Sequence, residues 1–175
     1  QNREEALYYC RESSKTTHGS SLCLNSCEIL GELILFAINT YNKDAMDSKI
    51  DEIEHRLELS TDFFINQRVQ MGSTGFVRDT LRTAVWAFQT TTNFKDGLLK
   101  VVNLGGDADT NGAVYGQLAG AFYGLNDKIP IEWVNGLYNK ELIFQMAENL
   151  HKASINYYKK PQCVRLSGDL TYPLR

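Results

Sequence analysis

The chain has no uninterrupted apolar run near the ~18 residues that cross a bilayer. Its longest apolar patch, from Ile29 to Ile38, is broken by Gly31 and Glu32. No secretory leader pattern opens it. It has no excess of positive charge either: Lys plus Arg number 18 against 21 Asp plus Glu, a net charge of -3. That removes the electrostatic footprint of a nucleic-acid binder. Paired thiols at metal or redox spacing are also missing. The cysteines are Cys10, Cys23, Cys27 and Cys163, and the four-residue step from Cys23 to Cys27 fits neither a C-x-x-C pair nor a zinc knuckle. Reduced, partly buried thiols in a cytoplasmic protein are the expectation, with neither nucleic acid nor membrane as partner. Strand-like alternation is nearly absent. Only Lys100 to Leu104 could form a short strand, and it cannot carry a sheet. There is no internal repeat and no low-complexity segment.

What remains is helical periodicity. The 175 residues, 43% hydrophobic and 22% charged, suffice for one domain with a sizeable core. Helical patterns run from Arg3 to Ser13, Ser20 to Tyr41, Asp44 to Leu59 and Asp79 to Phe88. In the second, Leu22, Ile29, Leu33, Phe36 and Ala37 share a broad face that Leu30, Ile34 and Ile38 widen, which predicts a helix buried on most sides. Met71 to Gly75 is a breaker. Asn93 is a suitable N-cap for a helix carrying Phe94, Leu98, Val101 and Val102 that stops at Gly105-Gly106. Further helices are predicted from Thr110 to Tyr123, stopped by Gly124, from Ile131 to Leu137 after Pro130, and from Lys140 to Tyr158. The fold class is therefore all-α, a single domain over residues 1–160. The segment from Gln162 to Arg175 has little periodicity and reads as part of a C-terminal tail, 161–175.

The chemistry concentrates at Gly105-Gly106-Asp107-Ala108-Asp109-Thr110. Hard divalent cations take oxygen ligands, and here two carboxylates and a hydroxyl follow a glycine pair that lets the backbone turn sharply. A helix follows, so its free N–H groups face the same spot. The plain alternative is that Asp and Thr cap the helix. Asp107 to Gly112 also matches the opening of an EF-hand loop, but the twelfth position, which needs a bidentate Glu, is Leu118. A D-x-D motif of the glycosyltransferase kind follows a strand in an α/β sheet, which the helical pattern argues against. His55 and His151 sit among charges and read as solvated. Lys49 to Glu58 reads as a charged outer face, and Asp79 as a cap or structural hydrogen-bond partner.

Leu104-Gly105-Gly106-Asp107-Ala108-Asp109-Thr110, then Gly116 to Gly124 with its Ala-Gly-Ala-x-Tyr-Gly, then Ile129-Pro130 and Trp133, resembles the ADP-ribosylglycohydrolase family. Gly72-Ser73-Thr74-Gly75-Phe76-Val77-Arg78-Asp79-Thr80-Leu81 resembles a second element of that family, and Thr17-His18 a third. The likeness runs from about Tyr8 to Ala153. It implies a compact orthogonal helical domain that hydrolyses the glycosidic bond between ADP-ribose and a protein side chain, with two Mg2+ or Mn2+ ions in a cleft. By position, it makes Asp107, Asp109 and Thr110 metal ligands. Gly105, Gly106, Ser73, Thr74, Gly75, Phe76 and His18 would bind substrate, Phe76 by stacking on adenine or ribose. The second element leans towards arginine-linked ADP-ribose. Gly112, Gly116 and Gly120 recur every four residues and would let their helix pack close to a neighbour.

The family's N-terminal G-D-x-x-G and T-D-D-T elements, and the acid that assists water, have no counterpart here; the chain contains no Asp-Asp pair. Three oxygen ligands from one loop make half a site for an ion with near-octahedral demands. Together with Gln1 in place of an initial Met, this leads to the expectation of a C-terminal portion of the fold that works with a companion N-terminal segment or chain. The catalytic acid or base would lie on that companion. The alternatives are a truncated product that binds ligand without turnover, and a structural relative without the chemistry. The functional rival to the hydrolase is thus a non-catalytic ADP-ribose or nucleotide-binding module.

Overall fold

The computed structural model describes residues 3–56, 74–125 and 128–159. Among these residues there are eight helices and no strand, so the chain is all-α as expected. They are α1 (Arg3–Lys15), α2 (Ser21–Asn39), α3 (Lys43–Arg56), α4 (Val77–Gln89), α5 (Phe94–Val102), α6 (Ala108–Tyr123), α7 (Ile131–Asn135) and α8 (Lys140–Lys159). The described residues up to Val134 make one compact unit, and those from Asn135 to Lys159 belong to a second. The second unit contains α8, which follows Asn139 at a positive φ of 52°. Within it the Lys140 ammonium donates to Asn135 Oδ1 at 3.2 Å. The predicted tail lies outside the described residues, as do Leu57 to Leu59 at the end of the third helical pattern.

The centre of the first unit is α4. Thr80, Leu81, Arg82, Thr83, Ala84, Val85, Ala87 and Phe88 are all buried there. The large apolar residues at helical spacing from Asp79 to Phe88 are Leu81, Val85 and Phe88. The small Ala84, Ala87 and Thr83 belong to the same buried surface, where close approach rather than bulk fills the space. Leu33 and Ala37 of α2, Met46, Ile50 and Ile53 of α3, Val101 of α5, and Tyr115, Leu118 and Phe122 of α6 complete the core with it. Lys43 ties α3 to the end of α4: its ammonium donates to the Phe88 carbonyl at 2.6 Å, satisfying one of the helix's last acceptors.

Two sequence expectations need correction. The helix α2 is not buried on most sides; its buried residues are Leu24, Ser26, Glu32, Leu33 and Ala37, and Ile38 is 53% exposed. Its best 18-residue window has a mean hydropathy of 1.6, so by length and composition it could cross a membrane after all. The buried, ion-paired Glu32 lies within that window. Nor is the stretch from Lys49 to Glu58 only a solvated face. Lys49 and Arg56 reach back to Glu32, at 3.0 Å from Oε1 and 2.6 Å from Oε2 respectively, and Arg3 closes the cluster from α1. Glu54, on the same stretch, is buried. One carboxylate with three cations thus joins α1, α2 and α3. His55 and His151 are exposed, as read.

Around α5 and α6 the fit is close. Asn93 caps α5 as anticipated, its side chain accepting from Asp96 N at 2.8 Å. The helix ends at Val102, so Lys100 to Val102 is helical rather than extended. A Cβ at Gly97 would stand 1.9 Å from the Tyr115 hydroxyl, which donates to the Phe94 carbonyl at 3.1 Å. Only glycine admits Tyr115 there. The glycine stripe of α6 behaves differently from expectation: Gly112 packs against Val102, but a Cβ at Gly116 or Gly120 would meet nothing within 4 Å. Close packing at α6 therefore belongs to Gly112 alone among the three.

Burial by itself would raise the Glu32 pKa. Hydrogen bonds from Arg56, Arg3 and Lys49 outweigh it and hold the carboxyl at about 2 against an ordinary 4.5. A depressed folded-state pKa stabilises the fold above the unfolded value and loses that contribution as pH falls through the folded one. Stability should therefore decline between about pH 4.5 and pH 2. Urea unfolding followed by circular dichroism across that window checks this; Glu32→Gln should be less stable at pH 7 and lose this share of the acid dependence.

Candidate functional site

The site begins where α5 stops. Leu104 N and Gly105 N donate back to the carbonyls of Val101 and Val102, each at 3.2 Å, and close the end of the helix. Gly105 and Gly106 then take φ values of 73° and 59°. Two successive left-handed residues are costly for any side chain and free for glycine. Asp107 follows at the N-cap position of α6, so the helix begins at Ala108, two residues earlier than periodicity indicated.

The Asp107 side chain caps nothing. Its backbone carbonyl accepts from Asn111 N at 3.1 Å and from Asn111 Nδ2 at 2.6 Å, so the fully buried Asn111 anchors the loop from within. The Asp107 carboxylate is left half-buried at the mouth of the helix. Asp109 sits one turn-position on, exposed, and Oδ1 accepts from its neighbour's Thr110 N at 2.9 Å. That N–H, and then a hydrogen bond with the Asp107 side chain, hold the Asp109 carboxyl below the usual carboxylate range. The two carboxyls therefore lie against each other, and Thr110 stands exposed beside them. No Lys or Arg forms an ion pair with either Asp among the described residues. Capping does not account for Asp107.

The second element comes to the same place. The backbone of Gly75 lies against Asp107: a Cβ on it would be 3.0 Å from Asp107 Oδ2. Thr74 Oγ1 accepts from Phe76 N at 3.2 Å and donates to Asp79 Oδ2 at 3.0 Å, which makes Asp79 the structural hydrogen-bond partner anticipated. Phe76 precedes the first turn of α4 and is 51% exposed, so its ring is not a core aromatic. Ser73 lies outside the described residues. His18 occupies the turn between α1 and α2, where its carbonyl accepts from Ser14 Oγ at 2.9 Å and Nδ1 contacts Thr17 Oγ1 at 3.0 Å. None of these hydrogen bonds reaches the loops at 74–76 or 105–110. The structure thus brings Thr74, Gly75 and Phe76 together with Gly105, Gly106, Asp107, Asp109 and Thr110. Asn111 had gone unnoticed as a site residue; its place four after Asp107, on the same helix face, was the available signal.

Two adjacent carboxylates and a hydroxyl suit a hard cation. Among the described residues no group of three His, Cys, Asp or Glu side chains converges, so the remaining ligands are not supplied by them.

The helical fold and its Gly-Gly-Asp-x-Asp-Thr loop agree with the resemblance drawn from the sequence, and comparison with known proteins supports it. The ADP-ribosylglycohydrolase family model matches residues 1–159, and the chain belongs to that family. It is 36% identical over 140 residues to the ADP-ribosylarginine hydrolase Tri1 of Serratia proteamaculans (strain 568), covering 78% of this chain and 38% of that protein. It is 33% identical over 124 residues to the ADP-ribosyl-[dinitrogen reductase] glycohydrolase of Rhodospirillum rubrum, covering 71% of this chain and 40% of that protein. A solved structure of an ADP-ribosylglycohydrolase-related protein complex superposes with a TM-score of 0.76 at 34% identity, over 87% of this chain and 55% of that one. The chain spans well under two thirds of the length of each.

If Asp107 is not a cap, Asp107→Ala should leave the melting temperature in EDTA unchanged, because no helix N–H loses an acceptor. A loss of about 1 kcal/mol, the ordinary cost of deleting an N-cap, would show that capping is its role.

Proposed function

We propose that this chain carries the metal-holding C-terminal part of an ADP-ribosyl glycohydrolase site, acting on ADP-ribose linked to a protein side chain. The observation that carries the proposal is the Asp107 carboxylate, which stands at the N-cap of α6, caps nothing and lies against Asp109. Two adjacent acidic side chains, with no Lys or Arg ion pair among the described residues, are a donor set that a bound cation would stabilise. Asp107, Asp109 and Thr110 would hold Mg2+ or Mn2+, with two ions in the complete site. Such a metal, when bound, orients hydroxyls and offsets developing charge at the reacting centre.

The chain's own groups do the rest of the positioning. The exposed Phe76 ring offers a flat face to adenine or ribose, and the Thr74–Gly75 turn sets the distance between that face and the carboxylates. Ser73, Gly105 and Gly106 complete the proposed substrate wall, and His18 would approach it from the α1–α2 turn. Further acidic ligands and the group that assists water are assigned to a companion segment, on the same polypeptide or another. The names of the relatives favour an arginine linkage. The free thiols of Cys10, Cys23 and Cys27 suit a cytoplasmic location.

A second reading, binding of ADP-ribose without turnover, draws on the incomplete set of ligands among the described residues. The two separate in one experiment on the full polypeptide or complex that bears these residues. With Mn2+, ADP-ribosylated arginine should release ADP-ribose, EDTA should abolish release, and Asp107→Ala should lower kcat/KM on the order of 100-fold. Calorimetric binding of ADP-ribose with no release would sink the hydrolase reading and leave the binding one.

A further inference from the structure

We propose that Asp79 is a positioning residue for the metal loop, acting through Thr74 and Gly75 on the Asp107 carboxylate. The inference rests on the reading of Asp107 as a metal ligand. The first turn of α4 and the 74–76 segment form a closed set of hydrogen bonds. Thr74 Oγ1 donates to Asp79 Oδ2 at 3.0 Å and accepts from Phe76 N at 3.2 Å. Asp79 N donates to the Phe76 carbonyl at 2.9 Å. The buried Thr80 hydroxyl lies 3.3 Å from both the Thr74 and Phe76 carbonyls, and its side chain holds the turn from below.

The one residue of this segment without a side chain, Gly75, is the one that faces the metal loop. A Cβ there would stand 3.0 Å from Asp107 Oδ2, closer than ordinary contact. The Asp107 side chain is therefore confined on that side by backbone, and the position of that backbone is set by the Thr74–Asp79 bond. Asp107 makes no capping bond of its own, and on its own helix it is the Asp109 side chain that hydrogen-bonds it. Asp79 thus orients a carboxylate it does not touch. The same bond fixes Phe76, so the proposed stacking face and the proposed metal wall move as one body.

The probe is Mn2+ alone, added to the full polypeptide or complex that bears these residues, with binding read from the loss of the free-ion electron paramagnetic resonance signal. Amide resonances of Asp107 to Asn111 are recorded in parallel. Asp79→Ala and Thr74→Val should each weaken Mn2+ binding about three- to tenfold and shift those amides. The double variant should be no worse than either single one, because both remove the same bond. Asp79→Asn should restore binding, since its amide oxygen can accept from Thr74; a merely structural carboxylate or a long-range charge effect would not be rescued by a neutral side chain. Gly75→Ala should weaken Mn2+ binding while leaving the melting temperature unchanged. Wild-type affinity in Asp79→Ala with unshifted Asp107 to Asn111 amides overturns the proposal, as does full additivity in the double variant. The underlying reading fails separately if Asp107→Ala binds Mn2+ as the wild type does. Should the wild type take up no Mn2+, the reading also fails, and the amide shifts alone decide whether Asp79 acts on the loop.

Discussion

The turn at Gly105-Gly106, with both φ values positive, governs how the rest of the structure is arranged. It turns the chain from α5 into α6 within the segment 103–107, so the two helices can pack against each other. That packing needs Gly97 to admit Tyr115 and Gly112 to admit Val102. The same turn delivers Asp107 to the head of α6 in a conformation from which its side chain does not cap. Replace either glycine by a residue with a Cβ and the backbone must relax away from the left-handed region, at ~1 kcal/mol or more per position. The carboxylate would then fall back towards the capping geometry that a helix start prefers. The loop gives up a stabilising cap and gains a pair of adjacent acidic side chains, which the proposed cation would hold together.

The second wall of the site depends on α4, the most buried of the helices in the first unit. Its interior is rigid because Leu81, Ala84, Val85 and Phe88 meet the core with almost no exposure. Rigidity at that level is transmitted to the Thr74–Phe76 turn by the hydrogen bonds of its first turn. The α1–α2–α3 layer is secured differently, by one buried carboxylate shared among three cations from two other helices. A buried charge with this many partners specifies which helices meet rather than adding much net stability. Removing one partner would leave it undercompensated.

The sequence exposed the parts of this architecture that are written locally. Asn93 before Phe94, Gly124 after Tyr123 and the Gly-Gly-Asp-x-Asp-Thr loop are each short-range signals with one dominant physical reading. The helix count and the all-α class followed from apolar periodicity, with these signals setting helix ends. The burial pattern was not legible, because it depends on which helices meet. The apolar run of α2 suggested a buried helix, yet the mixed sequence of α4 is the one enclosed on most sides. Glu32 looked like an interruption and proved to be a hub, since Arg3, Lys49 and Arg56 come from positions that nothing in the local sequence connects to it. At the site, the carboxylates were identified by spacing, but the contact of Gly75 with Asp107 and the Asn111 anchor required the fold. The spacing of Gly116 and Gly120 promised close packing, and among the described residues nothing packs there.

The central claim is that Asp107, Asp109 and Thr110 form a wall of a divalent-metal site rather than an ornate helix start. Crystals of the protein soaked in Mn2+, with diffraction recorded at a wavelength where manganese scatters anomalously, test it most directly. The account predicts an anomalous peak within ligand distance, roughly 2.0–2.3 Å, of an oxygen of Asp107 and of Asp109. A map with no peak at this loop, in crystals where the loop is ordered and accessible to the soak, would contradict it.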